Sequence, residues 1–379
     1  MSSVPQEVVD AIKNLQAAHY KEIDQCMSSA IQAIQKHITS SNLTNIMKYL
    51  TVEARQGEKL YVRIIRAISA NKELIPAFFE FCSNFDQHFG QDPPGIDYMY
   101  LAKGISVCEL RKEYLQTLEG KTLNDYQIYF INEINCDDIL PEFPGIFAQC
   151  SNKISHLESL IEKSRKNCYF PVVEERDSTN PRDSKFGGRA PYLPNDGPSC
   201  KKCGEQLDLI FSLYIKSLPE EIQQYFPEDE RESVLVGNNC SDGDVPCAYL
   251  YRKDEIDNLL YTNEESNFNE HRVVVGWEKS SMVVTSDEEF QKVYPDLSKW
   301  DYLLVGSIID DAEERGGGTY LGGYPVFVQS DEQPEGTVLL LEMDESEAST
   351  NIWGDCGTAQ VWMKTGSDFG EFEVTWACG

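Results

Sequence analysis

Apolar side chains recur at helical spacing through the front of the chain and in short, strand-length blocks through the rest. Val8, Ile12, Leu15, Ile23, Met27, Ile31, Ile34 and Ile38 fall close to one helical face. They predict one long helix over 3–38, opened by a Ser3–Gln6 capping box with Pro5 in its first turn. The same spacing predicts helices over 41–50, 56–70 and 72–88, and near 105–118, 122–135 and 149–167. Pro93, Pro94 and Gly95, then Gly120, then the Pro141–Pro144 stretch interrupt the run. The sum is an all-helical bundle of about six helices, with Phe78, Phe79, Phe81 and Phe85 in its core.

The pattern changes after Cys168. Pro171, Pro181, Pro191, Pro194 and Pro198, with Gly187, Gly188 and Gly197, exclude a helix before Cys200. Downstream, Leu207–Leu213, Ser233–Val236, Ala248–Tyr251, Arg272–Trp277, Leu303–Ile308, Val326–Gln329, Thr337–Met343, Ala359–Met363 and Phe372–Trp376 are apolar blocks bounded by Gly, Asp, Asn and Pro, which predicts strands. Short helices are expected near 218–225 and 287–293, the second capped by Ser286. The fold class is therefore α+β: a helical domain over 1–167, then a β-rich, mainly antiparallel domain over 168–379. The second domain repeats an order. Gly187, Gly188 and Pro191 precede a strand, an Asn238–Asp244 turn and another strand. Gly322, Gly323 and Pro325 precede a strand, the turn Trp353, Gly354, Asp355, and another strand. A pseudo-duplicated sheet accounts for both copies.

The segments Ser184–Pro194 (SKFGGRAPYLP), Leu321–Gln329 (LGGYPVFVQ), Leu339–Asp344 (LLLEMD) and Trp353–Asp355 (WGD) resemble the YwqG-like family, a domain of unknown function numbered 1963, over about residues 170–379. The resemblance implies an α+β fold with internal duplication. It also implies a distant similarity to the C-terminal domain of programmed cell death protein 2, a protein-binding chaperone. In the family Gly usually follows Trp-Gly-Asp directly; here Cys356 intervenes. No catalytic residues carry over, because none is established for the family. Residues 1–167 resemble no family we can name.

Charge narrows the choice of partner. The chain carries 33 basic and 63 acidic residues, a net of −30; residues 171–379 alone hold 16 and 42, a net of −26. Such a surface repels phosphate backbones and anionic lipid, which argues against nucleic acid and membrane; a basic protein is the partner it would attract, and charge that serves solubility alone is the simpler alternative. No apolar run approaches the length of a bilayer span, and the N-terminus lacks a secretory signal, so a cytoplasmic protein is expected, with a nuclear one equally compatible.

Candidate chemistry is sparse. Cys200 and Cys203, followed by Gly204, have the spacing of a zinc knuckle, and Cys240 and Cys247 can complete a structural tetrahedral zinc site; unligated thiols are the alternative. A redox role lacks the surrounding βαβ pattern. His271 is the one histidine of the acidic half, and no Gly-x-Ser-x-Gly elbow exists. Of the carboxylates Asp310, Asp311, Glu313, Glu314, Glu342, Asp344, Glu345, Glu347 and Asp355, Asp355 stands out because it belongs to a turn motif. The sequence thus favours a noncatalytic protein-interaction module, chaperone- or adaptor-like. A hydrolase using carboxylates or His271 is the rival.

Overall fold

The computed structural model describes residues 4–18, 23–53, 57–89, 97–107, 109–199, 204, 206–239, 247–263, 271–311, 318–328, 333–344, 357–364 and 370–378. The chain forms two compact units: Met1–Ser159 with Asp296–Val305, and Leu160–Pro295 with Gly306–Gly379.

The first unit is helical. Its elements are α1 (Gln6–Ala17), α2 (Ile23–His37), α3 (Leu43–Glu53), α4 (Gly57–Ser69), α5 (Ile75–Ser83), α6 (Phe85–Phe89), α7 (Asp97–Val107), α8 (Arg111–Leu118), α9 (Asp125–Glu133) and most of α10 (Pro144–Lys163). The long helix expected over 3–38 is instead a pair, α1 and α2. Glu7 at the start of α1 meets Lys36 at 2.8 Å and His37 at 2.7 Å near the end of α2, which sets the two antiparallel. Periodicity hid the break, because a folded-back pair buries the same apolar stripe that one straight helix would present. Pro5, without a side-chain cap, occupies the N-cap, and Ser3 lies outside the described residues. Phe79, Tyr114, Phe130, Tyr126 and Phe85 form a chain of ring contacts through the core.

This core is completed by a distant segment. The helix α14 (Lys299–Asp311) occupies the stretch where Leu303–Ile308 predicted a strand. Trp300 packs its ring 4.8 Å from Tyr126 and 5.5 Å from Tyr129, and buried Asp301 holds Lys153 at 2.6 Å. A block of apolar residues six long is compatible with either period, and the aromatic and ionic partners favour the helix.

Among the described residues, the second unit is built on one ten-stranded sheet. Its strands are β1 (Lys166–Glu175), β2 (Lys185–Phe186), β4 (Asp208–Tyr214), β5 (Val234–Asn239), β6 (Cys247–Tyr251), β8 (Arg272–Met282), β9 (Tyr320–Gly322), β10 (Thr337–Met343), β11 (Thr358–Lys364) and β12 (Phe372–Ala377). The pair β3 (Pro191–Tyr192) and β7 (Leu260–Tyr261) stands apart, and α11 (Glu220–Gln223), α12 (Lys253–Ile256) and α13 (Asp287–Val293) are short helices. All pairings are antiparallel, in the order β12-β11-β10-β9-β1-β8-β2-β4-β5-β6. The end strands β6 and β12 approach each other, so the sheet curls round a shared core of Phe186, Phe211, Leu235, Leu321, Leu341 and Val361.

That order reads the same from either end. Each repeat contributes a lead strand and four more: β1, β2, β4, β5, β6 and β8, β9, β10, β11, β12. The lead strands are exchanged, since β1 pairs with β9 and β8 pairs with β2. The registers agree in detail. Phe186 faces Phe211 as Leu321 faces Leu341, and both following ladders shift at the matching place, between Leu209 and Phe211 and between Leu339 and Leu341. The pseudo-duplication expected from the sequence is thus present, with the two Gly-Gly segments in equivalent positions.

The sequence predicts no strand over β1, since Pro171 lies inside it and the predicted helix runs on to 167. Proline is tolerated there because β9 pairs only with Cys168 and Tyr169, leaving that side of β1 unladdered at Pro171. Val326–Gln329, expected as a strand, is non-strand through Val328; Gln329 lies outside the described residues.

Gly187, Gly188, Gly322 and Gly323 all have positive φ, from 64° to 77°. A Cβ on Gly188 would lie 2.6 Å from Asp177 Oδ1, and one on Gly323 2.5 Å from Met282 Sδ. We expect Gly188→Ala and Gly323→Ala each to lower unfolding free energy by about 1–2 kcal/mol or more, measured by urea denaturation, since left-handed backbone alone costs about that much. A neutral result at one site and not the other would show that the two turns are not equivalent.

Candidate functional site

Buried polar side chains flank the glycine turn of each repeat, on the face of the sheet opposite the shared core. In the first, Lys185 precedes the glycine pair and its side chain is only 2% exposed. Its Nζ donates to the carbonyls of Ser178 (2.6 Å) and Arg189 (3.0 Å) and lies 3.5 Å from Asp177 Oδ1. Burial pushes this ammonium below the ordinary lysine range, and Asp177 pulls it back. Arg189 Nε lies 3.5 Å from the other oxygen of Asp177, and the Cβ of His271 borders the same corner beside Gly188.

In the second repeat the position of Lys185 is taken by Tyr320, whose hydroxyl donates to the carbonyl of Tyr324 at 2.7 Å. Each side chain bonds the carbonyl four residues on and so closes the glycine turn between. A cation and a phenol do the same structural work.

Glu342 on β10, equivalent to Ser212, is 1% exposed. Its Oε1 accepts the N–H of Val326 at 3.2 Å. The carbonyl of Val326 accepts from Gln360 Nε2 and Thr358 Oγ1, each at 3.2 Å, so the backbone of this one residue is gripped at both its N–H and its C=O. Thr375 Oγ1 donates to Gln360 Oε1 at 3.2 Å and accepts from Trp362 Nε1 at 2.7 Å. Among the described residues, Glu342 Oε2 is buried with no hydrogen-bond partner. Burial raises this carboxyl well above its ordinary range and nearby Asp344 adds to the rise, while the Val326 amide and Gln360 oppose it. In the first repeat the matching outer face is apolar: Val234 and Val236 replace Thr358 and Gln360.

The sequence-predicted residues divide sharply. Gly187 and Gly188 fall into a turn equivalent to that of Gly322 and Gly323, whereas Pro191 opens β3 and Pro325 lies in a non-strand segment. Trp353, Gly354 and Asp355 lie outside the described residues, as do Cys200, Cys203 and Cys240; Cys247 opens β6, where it pairs with Asn238. Among the described residues no group of three or more His, Cys, Asp or Glu is placed to hold a metal ion. Of the carboxylates, Glu342 and Asp344 sit at the end of β10, Asp310 and Asp311 close α14, and Glu313, Glu314, Glu345 and Glu347 lie outside the described residues. The roles of Asp177, Lys185 and Gln360 were missed. A signal existed for two of them: KFGG and YLGG align Lys185 with Tyr320, and Thr358 and Gln360 place polar groups at period two in an apolar strand.

A protein-family model, described as a domain of unknown function (DUF1963), matches residues 184–378. The chain belongs to this family. The DUF1963 match starts at Ser184, just before β2, so the lead strand β1 lies upstream of it although it pairs with β8 and β9 inside it. No curated protein matches the chain. Among the described residues no helix is long and apolar enough to cross a membrane.

Glu342→Gln tests the buried acid. Below the ordinary carboxylate range, folded and unfolded chains are both protonated there. As pH rises, the unfolded chain ionises first, so folding stability falls until the raised native pKa is reached. The variant should therefore gain stability relative to wild type between pH 4 and 8, in melting temperatures measured across that range. A difference that stays constant with pH would mean that Glu342 titrates alike in the folded and unfolded chains.

Proposed function

We propose that the DUF1963 unit is a noncatalytic binding module that engages a basic protein surface. The observation that carries this reading is the charge: 42 acidic against 16 basic side chains over residues 171–379. A field of that sign speeds encounter with a cationic partner and discourages nucleic acid and anionic lipid. The buried ionisable groups support it from the other side, because Lys185 and Tyr320 are committed to closing turns. The distant similarity to the protein-binding domain of programmed cell death protein 2 points the same way by analogy. Co-purification of the tagged full chain from native cells should recover a stoichiometric basic protein, and the pair should separate as salt rises past about 0.3 M, where the screening length drops below about 6 Å. Recovery of acidic or neutral partners only, held equally at high salt, would count against the reading.

The same unit would hold one structural zinc ion on Cys200, Cys203, Cys240 and Cys247. The flanks support this. Ser199 bridges Gln206, the Leu207 amide donates to the Pro198 carbonyl at 2.9 Å, and Gly204 has φ +80°, as the turn after a Cys-x-x-Cys knuckle requires. Asp208, opening β4, pairs with Asn239, which leads into Cys240, while Asn238 pairs with Cys247. Four thiolates leave the ion no open position, so it would brace this corner. Protein purified without chelator should carry about one zinc per chain, and Cys200→Ser should lose it and melt earlier. A content well below one equivalent removes the site.

A further inference from the structure

The exchanged lead strands bring one pair of equivalent residues together at the centre of the sheet. Phe186 pairs with Arg272 as Leu321 pairs with Tyr169, and counting equally along both strands makes Val172 the counterpart of Val275. They are neighbours. β1 pairs Val172 with Gly276 and Val173 with Val274, leaving Val275 as the extra residue of a bulge. Both valines are nearly half exposed, at 46% and 49%.

The face they occupy follows from their neighbours. Tyr169, Val173, Val274 and Trp277 pack against the shared core. Phe170 looks the other way, 5.6 Å from the ring of Tyr320, and strand alternation puts Val172 on its side. Val275 and Gly276 lie between two core-facing residues of β8 and share that outer side. Exposed carboxylates bracket the patch: Glu174 one alternation beyond Val172, and Glu278 opposite Phe170. Among the described residues, cations on the same side are engaged, Arg176 with Glu174 at 3.3 Å and Lys166 over the Tyr324 ring at 3.8 Å. The result is an aliphatic floor with acidic ends in a stretch, residues 171–379, of net charge −26. A second copy of this chain would set two such stretches against each other, so the charge favours a cationic occupant.

Resting on the binding reading above, we propose that this central face is where the partner docks. An aliphatic side chain from a Lys/Arg-rich protein segment seats on Val172 and Val275, and its flanking cations reach Glu278 and share Glu174 with Arg176.

The test uses the full chain and two fluorescein-labelled nonapeptides rich in Lys and Arg, one with a central Leu pair and one with Ser in its place. Fluorescence anisotropy at low salt should show the Leu peptide binding about tenfold more tightly, the return expected from burying one aliphatic side chain. The Val172→Ser/Val275→Ser double variant should erase that advantage and leave the salt-sensitive binding of the Ser peptide unchanged. If the double variant melts early, Val275→Thr makes the same comparison with strand propensity kept. A Leu advantage that survives these substitutions overturns the docking site and leaves the basic-partner reading standing. Failure of both peptides to bind wild type removes site and reading together. A concentration-dependent dimer split by the valine substitutions would overturn the proposal in favour of self-association.

Discussion

The pairing of β1 with β8 is the constraint on which the second unit depends. Each strand opens one repeat but gives its far edge to the other, so neither half can satisfy its backbone alone. Register here fixes everything outward from it. A slip of one residue would turn Tyr169, Val173 and Val274 to the outside and bring Phe170 and Val172 into the core. The single bulge opposite Val172 and Val173 takes up the mismatch, and the ladders on either side then run as mirrored copies.

Equivalent positions in the copies have kept geometry and changed chemistry. Lys185 and Tyr320 share neither charge nor shape, yet each donates across its glycine pair to the carbonyl four residues on. The outer faces have diverged further. One is lined by Leu209, Val234, Val236 and Tyr251, while the other carries Glu342, Thr358 and Gln360 and uses them to fix the backbone of Val326. Apolar packing and a polar grip are alternative ways to secure the segment after a glycine turn. The polar one leaves an acid oxygen buried without a hydrogen-bond partner among the described residues, a cost the apolar version avoids.

Much of this was legible in the residues. Strand blocks with clean boundaries, such as Thr337–Met343, emerged at their expected places, and the repeated glycine–proline order foretold the duplication. The failures share a physical cause. α1 and α2 were read as one helix, and Leu303–Ile308 as a strand, because local pattern records which face is buried but not what it is buried against. β1 was missed for the same reason: whether a strand tolerates proline depends on which neighbour lies beside it. The exchange of lead strands leaves no local trace, being a fact about pairing alone. In the polar clusters the participants were visible as residue types, but the grip on Val326 depends on a backbone segment brought in from outside the strands.

The contribution of Asp296–Val305 to the helical unit has a bearing on biosynthesis. Ribosomes release the front helices early, yet the rings of Tyr126 and Tyr129 and the ammonium of Lys153 gain their last partners only when Trp300 and Asp301 emerge, well over a hundred residues later. At elongation rates of about 5–20 residues per second, the growing polypeptide spends roughly 9–35 seconds with that aromatic surface uncovered. The helical unit is therefore completed late in translation, although nearly all of its sequence is made first.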